Sequence, residues 1–244
     1  MEKVIYALWS TPGSDDVGLA ARLLDDVGPA LAAAGAHGVQ LNVIDGDVAA
    51  GAALAPKGLR RTTMDPPIAA VASVWIDSAV RHSRAPIDAV FVDRGLRSAG
   101  YLVVESEPLP SSRRATGPRE RTDGFTQVAF LRRPTRLTRT AWLGRWQDHH
   151  TDVAIRTQST FAYRQNLVVD ALHDDAPAVD AIVEESFPIE ALTDWYAFYD
   201  AVGDDARFSA NVDAMIASTA TFLDHETDLD VLPTSQYVLS RPFA

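Results

Sequence analysis

The feature that most limits what this chain can become is that its 244 residues write one order of elements twice. Lys3 to Ser10 (KVIYALWS) is a β-rich run closed by the turn signal Thr11-Pro12-Gly13, and Ser14 followed by Asp15 and Asp16 opens a helix. Val17 to Ala34 carries Leu19, Leu23, Leu24, Val27 and Leu31 at helical spacing and stops at Gly35 and Gly38. Val39 to Ile44 alternates as a strand, and Ile68 to Asp77 is apolar enough to lie centrally in a sheet. A helix is expected over residues 78–98 and a fourth strand over 101–105. The order then restarts. Residues 125–133 read as a strand, Thr138 as the cap of a helix, 160–169 and 178–187 as strands, 188–227 as helical, and 235–240 as the closing strand.

β-α-β-β-α-β is the ferredoxin-like plan, a four-stranded antiparallel sheet with two helices on one face. Its other face is bare and must be covered, either by a partner chain or by a second copy. Laying VIYALW over VAFLRR and IAAVASVWI over VDAIVEESF gives an internal repeat of roughly 120 residues. The expectation is therefore an α+β chain of two such units packed sheet to sheet: 1–108 as a diverged unit, 109–124 as a linker, and 125–244 as the unit carrying a site. A barrel closed within one chain needs no partner to hide its sheets, and it can still pair as a homodimer of pseudo-dimers.

Composition narrows the function. A net charge of −11 excludes a nucleic-acid surface, which requires clustered Lys and Arg. The basic stretch Pro110 to Arg121 (PSSRRATGPRER) reads as solvated linker, and Lys57, Arg60 and Arg61 as a solvated group in a variable loop. With no cysteine, thiolate nucleophiles, disulfides and Cys-ligated metals are ruled out. No apolar run is long enough for a bilayer, and MEKVIYALWS reads as a strand and not as a leader, so a cytoplasmic protein is expected.

The chemistry concentrates in Trp142 to Val153, WLGRWQDHHTDV. At helical spacing Trp142, Leu143, Trp146, Val153 and Ala154 share one face, His150 falls near its middle, and His149 lies at its edge. An imidazole on an apolar aromatic wall is either a satisfied core histidine or an acid/base group. Asp148, His149 and His150 are consecutive and splay around the helix, so no metal site is expected. His37, His82, His173 and His225 read as solvated.

These residues carry a resemblance. Arg132-Arg133-Pro134 at the end of the first strand, Arg145-Trp146 with His150 four residues on, Tyr163 and Asn166 on the second strand, and Asp180 to Glu184 on the third make residues 125–244 similar to the EthD-like family of the dimeric α/β-barrel superfamily. The resemblance implies a cavity between one sheet and its own helices. It also implies cofactor-independent chemistry on a hydrophobic or aromatic, polyketide-like small molecule, of cyclase, dehydratase, lyase or cofactor-free monooxygenase type. Haem held by the helical histidine is a lesser alternative, and a non-catalytic binding or accessory protein is the competing class. On this basis His150 and Glu184 are the expected catalytic pair, with Arg132, Trp146, His149, Tyr163, Asn166, Trp195 and Tyr199 around the substrate. Ser73 stands opposite Glu184 in the overlay, and Leu19, Leu23, Val27 and Leu31 are expected to pack onto Val71, Ser73 and Trp75 or their neighbours, so only the second half keeps a site.

Overall fold

The computed structural model describes residues 1–9, 16–49, 59–113 and 120–242. The turn at Thr11 to Gly13, the helix start at Ser14, Lys57 and the basic residues Arg114 and Arg119 lie outside them. The first half runs β1 (Glu2–Trp9), helix α1 (16–33), β2 (Gly38–Val43), β3 (Ile68–Ile76), α2 (Arg81–Val92) and β4 (Arg97–Leu109). The second runs a two-residue strand β5 (Glu120–Arg121), β6 (Phe125–Leu131), helix α3 (139–157), β7 (Ala162–Ala171), β8 (Ala181–Phe187), a short helix α4 (Trp195–Phe198), α5 (Asp205–Thr219) and β9 (Leu229–Ser240). The region expected as one helix over 188–227 is thus broken. Asp194 caps α4 and Asp204 caps α5, each accepting a backbone N–H, and Asp200 and Gly203 between them take positive φ.

Strands are ordered β2-β3-β1-β4 in the first half and β7-β8-β6-β9 in the second, the same order with the same antiparallel pairing. The two sheets are joined edge to edge by the two longest strands. β4 pairs with β1 over Arg97 to Val103 and with β7 over Tyr101 to Leu109. β9 pairs with β6 over Leu229 to Thr234 and with β2 over Ser235 to Ser240. The result is a closed eight-stranded antiparallel barrel with helices outside, and closure removes the unpaired edges that an open sheet would expose. The end of the expected linker belongs to this sheet: β5 lies along β9, and Arg121 bonds Ser235 and pairs with Asp45 instead of meeting solvent.

Both first helices contain a π-helical segment at the same place. α1 is built of Asp16–Arg22, π-helical Leu23–Val27 and Gly28–Ala33; α3 of Arg139–Leu143, π-helical Gly144–His150 and Thr151–Thr157. Thr138 caps α3 by accepting the Ala141 N–H. Each π segment aims two side chains four residues apart at the sheet: Leu23 and Val27 in α1, Trp146 and His150 in α3.

Every residue of β8 is buried, because its inner face looks into the barrel and its outer face at the helices. The barrel interior is apolar around Ile5, Trp9, Val71, Phe130 and Ile182. It is polar around Lys3, Gln40, Asn42, Asn166 and Glu184. Gly124 starts β6 at φ +80, where a Cβ would lie 2.0 Å from the Phe187 carbonyl oxygen. Gly124→Ala should therefore cost roughly 2 kcal/mol or more, read as a lowered midpoint in urea unfolding; an unchanged midpoint would refute this account of the β6–β8 entry.

Candidate functional site

A cavity of about 280 Å³ lies between the second-half sheet and its helices. Trp146, Phe198, Tyr199, Trp195 and Phe222 supply its aromatic wall, Met215 and Thr219 come from α5, and Gln127, Tyr163 and Glu185 line it from the sheet. Its lining is mostly apolar with a few polar groups that converge on it, and its volume lies just under the range usual for ligand pockets, roughly 300–1,000 Å³.

The carboxylate in this cavity is Glu185 and not Glu184. Successive strand residues face opposite sides, and Glu184 points into the barrel. There it accepts from Gln40 Nε2 at 2.6 Å and Asn166 Nδ2 at 3.1 Å, and meets Lys3 Nζ at 3.2 Å and Arg164 at 3.6 Å. Burial alone would raise its pKa, but the Lys3 and Arg164 charges and the Gln40 bond hold it down at about 2, so it is a fixed anion of the barrel interior. The same parity applies in the first half: Leu23, Val27 and Leu31 pack with Ala70, Ala72 and Val74, while Val71 and Ser73 face inward. The overlay of the first strands is likewise one residue out, because β3 pairs Ser73 with Ile5 whereas β8 pairs Glu184 with Val128.

Glu185 stands directly across from Gln127 on β6 and Tyr163 on β7, forming a polar row over three strands. The corresponding row of the first half is Val4, Val74 and Val39, buried at the core under Leu23 and Val27. Glu185 is 7% exposed, and its Oε1 has no hydrogen-bond partner among the described residues. Burial pushes its pKa up to about 8, which keeps it protonated near neutrality. Gln127 Oε1, Gln158 Oε1 and Trp146 Nε1 are also unpartnered in this cavity, where buried polar groups are ordinarily bonded.

His150 is 6% exposed and packs on Phe222 with ring centroids 4.7 Å apart. Its Nδ1 bonds Ser218 Oγ at 3.0 Å, which leaves Nε2 for a ligand. Burial, followed by the nearby His149 and His225, lowers its pKa to about 4, so the imidazole is neutral at pH 7. Tyr163 is buried beside the row, and burial together with Glu185 raises its phenol.

Of the residues expected from sequence, the structure brings Trp146, His150, Tyr163, Trp195 and Tyr199 to one cavity. It takes four elsewhere. Arg132 pairs with Asp230 at 2.6 Å and donates to Thr63, away from the cavity lining. Asn166 belongs to the Lys3–Glu184 network inside the barrel, and His149 faces solvent. Glu185, Gln127, Gln158 and Ser218 are missed by the sequence reading, and for Glu185 the signal lay in its one-residue offset from Glu184; Arg61 and His225, expected to be solvated, instead line the cavity, because a loop of the first half and the segment after α5 meet over the second-half sheet. His173 is not simply solvated either, since Nδ1 accepts from the Gly100 N–H, and His37 pairs with Asp77. Among the described residues no group of three or more His, Asp or Glu could hold a metal, and no helix is long and apolar enough to cross a membrane.

This geometry is an α+β barrel of two ferredoxin-like units closed within one chain, and a solved structure shares the fold. The chain is similar to an anthrone oxidase-like protein over 100% of its own length and 95% of the other, with a TM-score of 0.55 and 10% identity. It also aligns with a protein assigned as a chlorite dismutase, over 96% and 93% of the two chains, with a TM-score of 0.44 and 11% identity. No protein-family model and no curated protein matches the sequence.

The two titrating groups leave opposite marks on stability. His150, at about 4 against an ordinary 6.5, contributes stability that is complete above pH 6.5 and lost as pH falls through 4. Glu185, at about 8 against 4.5, contributes stability that is complete below pH 4.5 and lost as pH rises through 8. Thermal unfolding from pH 4 to 9 should show Glu185→Gln gaining on the wild type only above about pH 4.5, and His150→Gln gaining only below about 6.5. Parallel curves for wild type and variants would contradict these assignments.

Proposed function

We propose that this chain is an EthD-like, cofactor-independent enzyme that performs acid/base chemistry on a hydrophobic aromatic, polyketide-like small molecule, of dehydratase, cyclase or lyase type. The observation that carries the reading is that the Gln127–Glu185–Tyr163 row and His150 line one aromatic-walled cavity. We read the two halves as diverged copies of which one kept a site, since the matching row of the first half is three valines.

In this reading His150 Nε2 takes a proton from a carbon beside a substrate carbonyl, and the Glu185 carboxyl gives its own proton to that carbonyl oxygen, yielding an enol. Ser218 holds the imidazole by Nδ1, so the ring that accepts the proton stays oriented. The imidazolium then protonates a departing hydroxyl, which leaves as water, or the enol carbon attacks a second carbonyl and closes a ring while the imidazolium protonates the oxygen of that carbonyl; in both cases Glu185 regains its proton from the enol oxygen. A neutral base and a neutral acid lining one cavity suit this sequence, because neither must be converted before the first step. Gln127 and Tyr163 flank Glu185 and orient the substrate oxygen, while the aromatic wall excludes water from the enol.

The test is turnover of aromatic polyketone substrates by the wild type, His150→Gln and Glu185→Gln. Each substitution should lower kcat by a factor of about 10² or more while changing Kd far less. The wild-type profile should rise through about pH 4 and fall through about pH 8, following the two groups. Tight binding without turnover by any variant or the wild type would instead assign the chain to the binding-protein class.

A further inference from the structure

The first half contributes two described residues to the wall of the second-half cavity, Leu59 and Arg61. Arg61 is held there by its backbone. Its N–H donates to the Val231 carbonyl at 3.0 Å and its own carbonyl accepts from the Val231 N–H at 2.8 Å, an isolated antiparallel bridge to β9. Its Cα is thereby pinned to a strand of the cavity wall, and the side chain is half-buried.

Among the described residues no carboxylate or other acceptor bonds its guanidinium, and this sets Arg61 apart from other part-buried arginines of the chain. Arg84 is paired with Asp88, Arg132 with Asp230 and Arg164 with Glu107. The chain carries a net charge of −11, so carboxylates are plentiful, yet none is placed against this cation. The titratable groups that share its cavity are His150, His225, Tyr163, Tyr199 and Glu185. His225 feels Arg61 directly: burial first and then that charge lower its pKa, with Asp224 opposing, which leaves a neutral imidazole beside the guanidinium at pH 7. A half-buried arginine with no anion against it has donors to spare, and its planar guanidinium matches a carboxylate, as it does a phosphate, with two parallel hydrogen bonds.

We propose that Arg61 anchors a carboxylate carried by the aromatic ligand, so that the substrate class of this cavity is an aromatic carboxylic acid. The anion sits on Arg61 and His225 while the ring system lies along Trp146, Tyr199 and Phe222, within reach of His150. This deepens the functional reading above and rests on the same cavity.

Isothermal titration of the full chain with naphthoate and with naphthamide tests it, the two probes sharing one ring system and differing in charge. Naphthoate should bind the wild type roughly tenfold more tightly than naphthamide, with the His150 ring signals shifting in NMR. That preference should vanish in Arg61→Gln and return in part in Arg61→Lys; the backbone bridge to Val231 does not depend on the side chain, so both variants should unfold at the wild-type temperature. Equal affinity of the two probes for the wild type, or a preference that survives in Arg61→Gln, overturns the carboxylate assignment alone. Failure of both probes to bind or to move His150 overturns it together with the reading of the cavity as a substrate site.

Discussion

Two strands, β4 and β9, hydrogen-bond to both halves of the molecule, and the rest of the structure depends on that double pairing. Each leaves its own sheet midway and continues as an edge partner of the other, so eight strands close without a free edge. Closure has a direct consequence for composition. With a barrel interior on one side and helices on the other, the central strands are buried on both faces, and polar residues on them must find partners or become sites.

Strand β8 shows both outcomes in consecutive residues. Glu184 enters the barrel, where Lys3, Gln40, Asn166 and Arg164 surround it, and the charged form survives because opposite charge and donors offset the loss of water. Glu185 enters the helix side, where its cross-strand neighbours are Gln127 and Tyr163 and, among the described residues, no cation pairs with it. There the neutral form is favoured, with a pKa of about 8. Two carboxyls one residue apart thus differ by protonation state at neutral pH, and only the protonated one faces a cavity.

The two halves carry different side chains at structurally equivalent places. Leu23 and Val27 over Val4, Val74 and Val39 make a packed core; Trp146 and His150 over Gln127, Glu185 and Tyr163 make a cavity. Backbone geometry is kept, including the π-helical segment in each first helix, so the difference lies in side-chain volume and polarity. The first half is also more than a cover, since Leu59 and Arg61 reach across to line the second-half cavity.

Much of this was legible in the chain itself. Helical spacing over residues 142–154 and the doubled β-α-β-β-α-β order carry the fold, the inward face of α3 and the aromatic wall, because helical periodicity and strand order are local properties. Which face of β8 met the helices was not legible: the strand is buried on both sides and sets Glu184, Glu185 and Ser186 side by side after an apolar run, so no polar alternation marks inside from outside, and Glu184 and Glu185 are equivalent until register with β6 and β7 is known. The placing of Arg132 against Asp230, of Asn166 beside Lys3, and of Arg61 in the cavity depends on residues 98 to 170 positions apart. Such long-range pairings arise only when the barrel closes, and tertiary structure alone decided them.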